Sequence, residues 1–403
     1  MTIHVVGLGL DPDNLPDHSA SVVDHAQVLA GGNRQLAFFE DHPARKIPLT
    51  SPLDQALNDI AEAHADGSMV VVVADGDPLF YGIGARLIDL MGPEDVRIYP
   101  NVTTLQVAAA RLRVPWQDFQ TVSLHGRSDY LPLFSALRFS RWVAVFTDDA
   151  NIPSAIAQTI LDKGGEKFAM WVLENLETEN ERFGKYTLAE AGRKSFSHNN
   201  LVILEKRAEP EVPLGLGTPD DAFRHEEGLI TKGPVRAAGI AALRPTKESD
   251  VWDLGAGCGA VAIETSSLTR GSVFAVEKNA GRVGMIRENI LHTGAYNVEV
   301  VHGTMPECLA DLPDPDRIFL GGGMGRGGDV LAEACERLRP GGRIVAHTVL
   351  LDSLLRTRQI FDSMGWPYFV TLVQAAESVE LAGDLRMQGL NPVFIIGADK
   401  PEK

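Results

Sequence analysis

Val251-Trp-Asp-Leu-Gly-Ala-Gly-Cys-Gly-Ala-Val-Ala-Ile-Glu264 is the stretch that decides the fold of this 403-residue chain. Its apolar start predicts a buried strand that ends at Asp253, and the alternating glycines that follow predict a tight turn into a helix. Because glycine has no Cβ, such a turn lets the backbone approach a ligand closely. The stretch therefore predicts a ligand-binding strand, turn and helix around Gly255, Gly257 and Gly259.

A second carboxylate ends the next predicted strand, Val273-Phe-Ala-Val-Glu277. A carboxylate at this place in α/β folds accepts hydrogen bonds from ribose hydroxyls, so the ligand is predicted to contain a nucleoside. A dinucleotide fits because Ala260 stands at the sixth position of the glycine motif. S-adenosylmethionine is favoured because Asp253 would lie near its ammonium group, and because His302-Gly-Thr-Met-Pro-Glu307 follows the third strand, at the predicted adenine edge. A glycine turn without a ligand is the third alternative.

The rest of the chain alternates strand-like and helix-like segments, which predicts α/β architecture. Segment 207–219 contains three prolines and two glycines and is predicted to link a domain at 1–206 to a domain at 220–403. The second domain is predicted to have a Rossmann-like, mostly parallel sheet. The predicted strands are 3–8, 69–74, 96–99, 120–124, 142–147, 168–173, 201–205, 249–254, 272–277, 297–301, 316–320 and 342–348, and the predicted helices of the second domain are 232–243, one from about 259, 280–294 and 328–338.

Composition limits the class of partner. With 37 basic and 54 acidic residues the net charge is −17, which disfavours nucleic acid because phosphate binding usually needs a basic face. Aliphatic runs such as Met69–Val73 have the length of a strand, not the roughly 20 residues of a membrane span. The chain starts directly with a strand-like segment, and Cys258, Cys308 and Cys335 show neither disulfide nor zinc spacing. We therefore expect a cytoplasmic protein with no membrane span and no metal site.

Three glycine- and acid-containing segments follow one another in the first half. They are Val5-Val-Gly-Leu-Gly-Leu-Asp-Pro12, Ala74-Asp-Gly-Asp-Pro-Leu-Phe-Tyr-Gly-Ile-Gly84 and Tyr99-Pro-Asn-Val-Thr-Thr-Leu-Gln-Val-Ala-Ala-Ala-Arg111. In this order they resemble the tetrapyrrole methylase family over about residues 3–205. The resemblance implies two α/β lobes with S-adenosylmethionine in the cleft between them.

The same resemblance implies which residues hold the cofactor. Two positions depart from the family pattern: Leu10 stands where many members carry proline, and Asn101 stands where glycine is usual. Asparagine tolerates positive φ better than most residues, so we expect the second turn to be kept. The implied cofactor contacts are Leu10, Asp75, Gly76, Asp77, Phe80, Thr103 and Thr104.

The second half resembles a class I methyltransferase domain of cobalamin synthesis that methylates C15 and removes a carboxyl group. The resemblance is carried by Asp220-Asp-Ala-Phe-Arg-His-Glu-Glu-Gly-Leu-Ile-Thr-Lys232, by the glycine loop, by Glu277 and by Gly303-Thr-Met-Pro-Glu307. It implies that S-adenosylmethionine contacts Thr231, Gly255, Ala256, Gly257, Cys258, Gly259, Glu277 and Met305. Asp253, which would lie near the ammonium group, and Thr304, in the same segment as Met305, complete the predicted contacts.

The fusion of these two folds resembles the bifunctional corrinoid methyltransferases. The resemblance implies methylation of precorrin-6Y at C5 by the first domain and at C15 by the second, with decarboxylation of the C12 acetate to give precorrin-8. It also implies a polycarboxylate corrinoid as substrate and a homo-oligomer, since related single domains oligomerise. A nucleic-acid or protein methylase is the first rival function. The second is a non-catalytic S-adenosylmethionine sensor, which the departures at Leu10 and Asn101 allow for the first half only. The strand 316–320 runs into Gly321-Gly-Gly323 and lacks the Asn/Asp-Pro-Pro-aromatic motif of amine methylases, which opposes the first rival.

Several charged side chains are candidates for contacts with substrate carboxylates. No catalytic acid is identified from the sequence, and each candidate has a surface or packing role as its alternative. In the first half they are Arg111, Arg113, His125 and Arg127; in the second half they are Arg326, His347 and Arg386, which are also the candidate proton donors for decarboxylation.

Overall fold

The computed structural model describes residues 2–10, 15–226, 228–321 and 328–402. The chain divides into two compact units, which we call the first and the second unit. Two short segments that precede residue 206 belong to the second unit, a grouping that the sequence did not predict. The first unit comprises Met1–Ser128, Arg141–Gln158 and Ala169–Glu205, and the second comprises Asp129–Ser140, Thr159–Phe168 and Lys206–Lys403.

The first sheet of the first unit is parallel. Its strands are β1 (Ile3–Gly7), β2 (Val28–Gly31), β3 (Arg45–Pro48), β4 (Val70–Ala74) and β5 (Val96–Tyr99), and the helices between and beside them are α1 (Asp17–Asp24), α2 (Asn33–Ala37), α3 (Asp54–Ala65) and α4 (Gly84–Met91). The strand order is β3-β2-β4-β1-β5. Every residue of β4 is buried, as expected for a strand covered on both faces. The sequence missed β2 and β3 because both are short and β3, at the edge, carries charged residues and a proline.

The second sheet of the first unit is mixed. It contains β6 (Phe119–Ser123), β7 (Trp142–Phe146), β8 (Phe168–Glu174), β9 (Arg182–Thr187) and β10 (Asn200–Lys206), in the order β6-β7-β10-β8-β9; the helices in this part of the chain are α5 (Thr104–Leu112), α6 (Leu131–Phe139), α7 (Pro153–Asp162) and α8 (Leu188–Ala191). Pairing is parallel between β6 and β7 and antiparallel between β8 and β9. The sequence missed β9, an edge strand without buried residues. The two sheets agree with the predicted two-lobed α/β arrangement.

The second unit contains a seven-stranded sheet in which the first five strands are parallel. The strands are β11 (Val251–Leu254), β12 (Val273–Glu277), β13 (Val298–His302), β14 (Arg317–Leu320), β15 (Arg343–Thr348), β16 (Tyr368–Val373) and β19 (Val393–Asp399), and the helices are α9 (Gly233–Leu243), α10 (Ala260–Thr265), α11 (Ala280–Thr293), α12 (Asp329–Arg337) and α13 (Leu351–Met364). The order is β13-β12-β11-β14-β15-β19-β16, with β19 antiparallel to its two neighbours. This topology confirms the predicted Rossmann-like, mostly parallel sheet.

A two-stranded hairpin follows β16 and was not predicted. It consists of β17 (Ala376–Leu381) and β18 (Asp384–Gly389), paired antiparallel. The glycines and the proline of segment 383–392 predict a loop around Arg386, but this prediction is wrong, because Arg386 lies on β18 opposite Val379. All six residues of β18 are exposed, so no alternation of buried and exposed residues marked this strand.

The C-terminal part of the predicted linker is attached to the second unit by hydrogen bonds. The amide of Val212 donates a hydrogen bond to the carbonyl of His292 (3.1 Å), and the amide of Gly217 donates to Oε2 of Glu264 (3.0 Å). Thr218 is buried. Residues 212–218 are therefore bound to the second unit through main-chain hydrogen bonds. No helix in the described part of the chain is both long and apolar enough to cross a membrane.

Candidate active sites

A cavity of about 1190 Å³ lies in the first unit, and we call it the first cavity. It lies at the carboxyl ends of β1 and β4 and is closed by residues of the second sheet. The residues that the family resemblance implied as cofactor contacts all line it: Leu10, Asp75, Gly76, Asp77, Phe80, Thr103 and Thr104. Asp11 and Pro12, from the same predicted loop, lie outside the described residues.

Hydrogen bonds fix the acidic turn of the first cavity. Oδ1 of Asp77 accepts a hydrogen bond from the amide of Leu79 (2.8 Å), which closes an Asx turn. Oδ2 of Asp75 accepts hydrogen bonds from Nη2 of Arg34 (2.8 Å) and Nε2 of Gln35 (2.6 Å), both on α2. No sequence motif indicated these two partners, because they come from a helix about forty residues away. Asp75 is therefore engaged by α2, whereas Asp77 shapes its own turn.

The start of α5 also lines the first cavity. Thr103 is the N-cap and forms a capping box with Gln106, in which each side chain bonds the other residue's amide. Asn101 replaces the usual glycine, yet it is not among the described residues with positive φ. Instead its Nδ2 donates to the carbonyl of Gly7 (2.9 Å), and its Oδ1 accepts from the amide of Val102 (2.8 Å). The turn is kept as expected, but side-chain hydrogen bonds are the cause.

The candidate substrate-binding residues of the first half fall into two groups. His125 and Arg127 line the first cavity. Arg111 does not offer a free charge, because its guanidinium forms ion pairs with Glu177 and Glu181. Arg113 ends α5 in the left-handed conformation and is not among the described lining residues. Only His125 and Arg127 therefore remain candidates for a substrate carboxylate.

A second cavity of about 1000 Å³ lies in the second unit at the carboxyl ends of the parallel strands. Nearly all residues predicted there line it: Thr231, Asp253, Gly255, Ala256, Gly257, Cys258, Glu277, Thr304 and Met305. Gly259 is the exception. It begins α10 with φ +82°, and a Cβ there would lie 2.9 Å from Ile286. Its lack of a side chain thus permits helix packing rather than ligand approach.

Two buried carboxylates accept hydrogen bonds from main-chain amides in and just after the glycine loop of the second cavity. Glu277 Oε2 accepts a hydrogen bond from the amide of Gly257, and its Oε1 accepts from the amide of Asn279, both at 2.9 Å. Oδ2 of Asp253 accepts from the amide of Ala262 (2.9 Å). Burial raises the pKa of the Asp253 carboxyl to about 7, and the negative charge of Glu277 adds to this rise. The cavity therefore contains a carboxylate that a cation would stabilise.

The other end of the second cavity contains residues that the sequence did not identify. Leu390 and Asn391 line it, and both lie more than a hundred residues from the glycine loop, so no local motif announced them. His347 also lines the cavity. Arg386 is exposed on β18 and is not among the described lining residues. Gly321 lines the cavity, while Gly322, Gly323 and the candidate Arg326 lie outside the described residues.

Comparison with known proteins agrees with the two folds. A sequence profile of tetrapyrrole (corrin/porphyrin) methylases matches residues 2–192, and a profile of precorrin methyltransferase domains matches residues 221–393. Two relatives cover one half each. Cobalt-precorrin-7 C(5)-methyltransferase of Salmonella typhimurium is 36% identical over 50% of this chain and 98% of its own length. Probable cobalt-precorrin-6B C(15)-methyltransferase (decarboxylating) of Saccharolobus solfataricus is 30% identical over 46% of this chain and 96% of its own length.

Other relatives span both halves. Precorrin-6Y C(5,15)-methyltransferase (decarboxylating) of Sinorhizobium sp is 33% identical over 355 residues, which are 86% of this chain and 84% of the relative. Because this similarity extends across both units and their cavities, the chain is a methyltransferase and belongs to the precorrin-6Y C(5,15)-methyltransferase (decarboxylating) family.

Proposed function

We propose that this chain transfers two methyl groups from S-adenosylmethionine to precorrin-6Y and removes carbon dioxide from its C12 acetate, giving precorrin-8. The first unit methylates C5, and the second unit methylates C15 and decarboxylates. The observation that carries the proposal is that each unit has its own cavity, lined by the residues that its family resemblance implied. The names of the two half-length relatives support this division, since one is a C(5)- and the other a C(15)-methyltransferase.

The second cavity fits S-adenosylmethionine. Asp253 offers a buried carboxylate to the ammonium group, and Glu277 offers carboxylate oxygens to the ribose hydroxyls. A Cβ at Gly257 would meet no atom within 4 Å, so the backbone there is open to a ligand. When bound, the sulfonium supplies an electrophilic methyl group with a neutral leaving group. The residues of the chain then need only align the acceptor carbon and exclude water.

The proposed substrate is a polycarboxylate corrinoid, which must bind a chain of net charge −17. Hydrogen-bond donors and positive charges near the site therefore have to offset the repulsion between the negatively charged chain and the substrate carboxylates. In the first cavity the lining residues His125 and Arg127 are the candidates for contacts with substrate carboxylates. Assembly into a homo-oligomer and a cytoplasmic location stay predictions.

Turnover by the full-length chain tests the proposed function. Incubation of precorrin-6Y with methyl-labelled S-adenosylmethionine should give a corrinoid with two labelled methyl groups and one molecule of carbon dioxide, both followed by mass spectrometry. Label that enters protein or nucleic acid but not the corrinoid would favour the rival methylase. Binding of the cofactor without S-adenosylhomocysteine formation would favour the sensor.

Gly76→Asn should block the first cavity and remove only the C5 methyl group. Gly76 has φ +57°, and a Cβ there would lie 3.5 Å from Cα of Thr103. Asparagine tolerates this backbone conformation, but its side chain would occupy space in the first cavity near Thr103, one of the implied cofactor contacts. We expect the rate of C5 methylation to fall at least about tenfold, which corresponds to about 1.4 kcal/mol of activation free energy. Gly365→Asn, also at positive φ and with nothing within 4 Å, is the matched control. C5 methylation by Gly76→Asn at the wild-type rate would contradict the assignment.

Cofactor binding to the second cavity should weaken as the pH falls below about 7. The Asp253 pKa of about 7 means that the free site takes up a proton in acid, whereas a bound cation favours the carboxylate. The affinity should therefore drop by up to about tenfold per pH unit below the pKa. Calorimetry on the Gly76→Asn chain should show proton release on binding at about pH 6. Asp253→Asn should abolish this release; a release that persists in this variant assigns the proton to another group.

A further inference from the structure

His347 is half-buried, and no described residue forms a hydrogen bond with its imidazole. It lies near the end of β15, and both Nδ1 and Nε2 are buried without a hydrogen-bond partner among the residues that the structure describes. Its ring packs edge-on against Phe319, with 4.6 Å between the ring centroids. Because a buried polar group without a partner is unfavourable, a ligand in the second cavity that pairs with this ring would be stabilised.

A glycine inside α9 makes room for the imidazole. A Cβ at Gly239 would lie 2.1 Å from Nε2 and 2.5 Å from Cε1 of His347, so no larger residue fits beside the ring in this position. Glycine in a helix interior is less favourable than alanine. The unfavourable glycine and the unpaired imidazole thus occur at the same place, which points to a role for this ring beyond packing.

The strand order places His347 away from the proposed cofactor contacts. Asp253 and Glu277 end β11 and β12, and Met305 follows β13. In the sheet, β14 and β15 lie on the opposite side of β11 from β12 and β13. The residues that line the cavity at this end include Gly321, Val349 and Leu390. His347 therefore faces the part of the second cavity that remains for the methyl acceptor.

The imidazole is uncharged at neutral pH, because burial lowers the pKa of His347 to about 4. Three cationic side chains are described as lining the cavity. Lys232 pairs with Asp220 and Arg282 with Glu226, while Lys278 directly follows β12, beside the proposed cofactor contact Glu277. A neutral N–H orients a carboxylate with less ground-state stabilisation than a cation, since hydrogen bonds between charged groups are about twice as strong. A carboxylate about to lose carbon dioxide needs this combination of orientation and weak stabilisation.

We propose that the imidazole of His347 turns about its Cβ–Cγ bond when the substrate binds, and that a ring N–H then donates a hydrogen bond to the acetate carboxylate that the second unit removes. The inference rests on the proposed function and adds the substrate group that this residue binds. In the reaction the bond between the methylene and carboxyl carbons breaks, and its electron pair enters the conjugated macrocycle. Carbon dioxide leaves, and a proton from water adds to the exocyclic carbon. His347 binds the substrate and holds the breaking bond in place but gives up no proton.

Variants of the full-length chain test the proposal through the amount of carbon dioxide released per C15 methyl group transferred. His347→Phe keeps a ring but loses the donor, and we expect this ratio to fall at least about tenfold, as for loss of one hydrogen bond to a charged group. His347→Gln restores an N–H and should recover part of the ratio. Gly239→Ala displaces the ring and should resemble His347→Phe. Thr348→Val, on the adjacent buried residue that is not among the described lining residues, should behave as wild type.

Affinity for S-adenosylhomocysteine, measured by calorimetry, separates this role from a structural one. We expect all four variants to keep the wild-type affinity. A wild-type ratio in His347→Phe overturns the proposal, and so does a joint loss of decarboxylation and cofactor binding. A wild-type chain that leaves precorrin-6Y unchanged would instead overturn the proposed function, and with it the substrate group named here.

Discussion

Gly257→Asn is expected to lower the affinity of the second cavity for S-adenosylmethionine at least about a hundredfold, or about 2.7 kcal/mol. Gly257 has φ +59°, and a Cβ there meets no protein atom within 4 Å. Asparagine can therefore adopt the backbone conformation of Gly257 without a clash. Its side chain would occupy the space beside Glu277, whose Oε2 accepts a hydrogen bond from the amide of residue 257. The variant should stay folded while its product lacks the C15 methyl group and keeps the acetate carboxyl group.

The matched control is again Gly365→Asn, at φ +66° and in open space at the end of α13. It should bind and turn over as wild type. Calorimetry with S-adenosylhomocysteine on full-length chains counts the remaining sites, and one site should persist in Gly257→Asn. Carbon dioxide release by Gly257→Asn at the wild-type rate would show that decarboxylation does not depend on the second cavity.

Arg236→Met is expected to reduce the free energy of unfolding of the second unit by about 3–5 kcal/mol. The Arg236 side chain is fully buried, and its Nε donates to Oε1 of the equally buried Glu264 (2.7 Å). Its Nη1 contacts Oδ1 of Asp220 (3.1 Å), and its guanidinium also bonds the carbonyls of Thr218 and Thr231. Methionine fills the space but leaves a buried carboxylate and two carbonyls without this donor.

Hydrogen exchange in β11 and α10 of the full-length chain measures this loss within the second unit. The double variant Arg236→Met/Glu264→Gln should regain part of the stability, because it removes the unpaired charge. Arg224→Met is the control, since Arg224 pairs with Glu288 on the surface and should cost less than about 1 kcal/mol. A loss in Arg236→Met no larger than in Arg224→Met would mean that the buried pair does not stabilise the unit.

The loops that line both cavities could be predicted because their requirements are local. A strand that ends in glycines and a carboxylate specifies a close backbone turn, and parallel strands bring such ends to one edge of a sheet. This is why Asp253, Gly257 and Glu277 line one cavity, and why Asp77 and Thr103 line the other. The α/β class of both units followed from the same alternation of strands and helices.

Roles that depend on long-range contacts could not be predicted. Arg111 is a candidate substrate ligand in the sequence, but Glu177 and Glu181 bind it in the folded chain. The hairpin that carries Arg386 has too few buried residues to produce a periodic pattern.

The amino-acid sequence by itself determined the two folds, the order of their strands and helices around the glycine loops, and most of the cavity-lining residues, because a backbone turn is specified by neighbours in the chain. Only the tertiary structure decided that Gly259 serves packing against Ile286 and that Gly239 admits the ring of His347. The reason is that burial and pairing depend on residues that are distant in sequence, and hydrophobic periodicity does not encode which side chain is left without a partner.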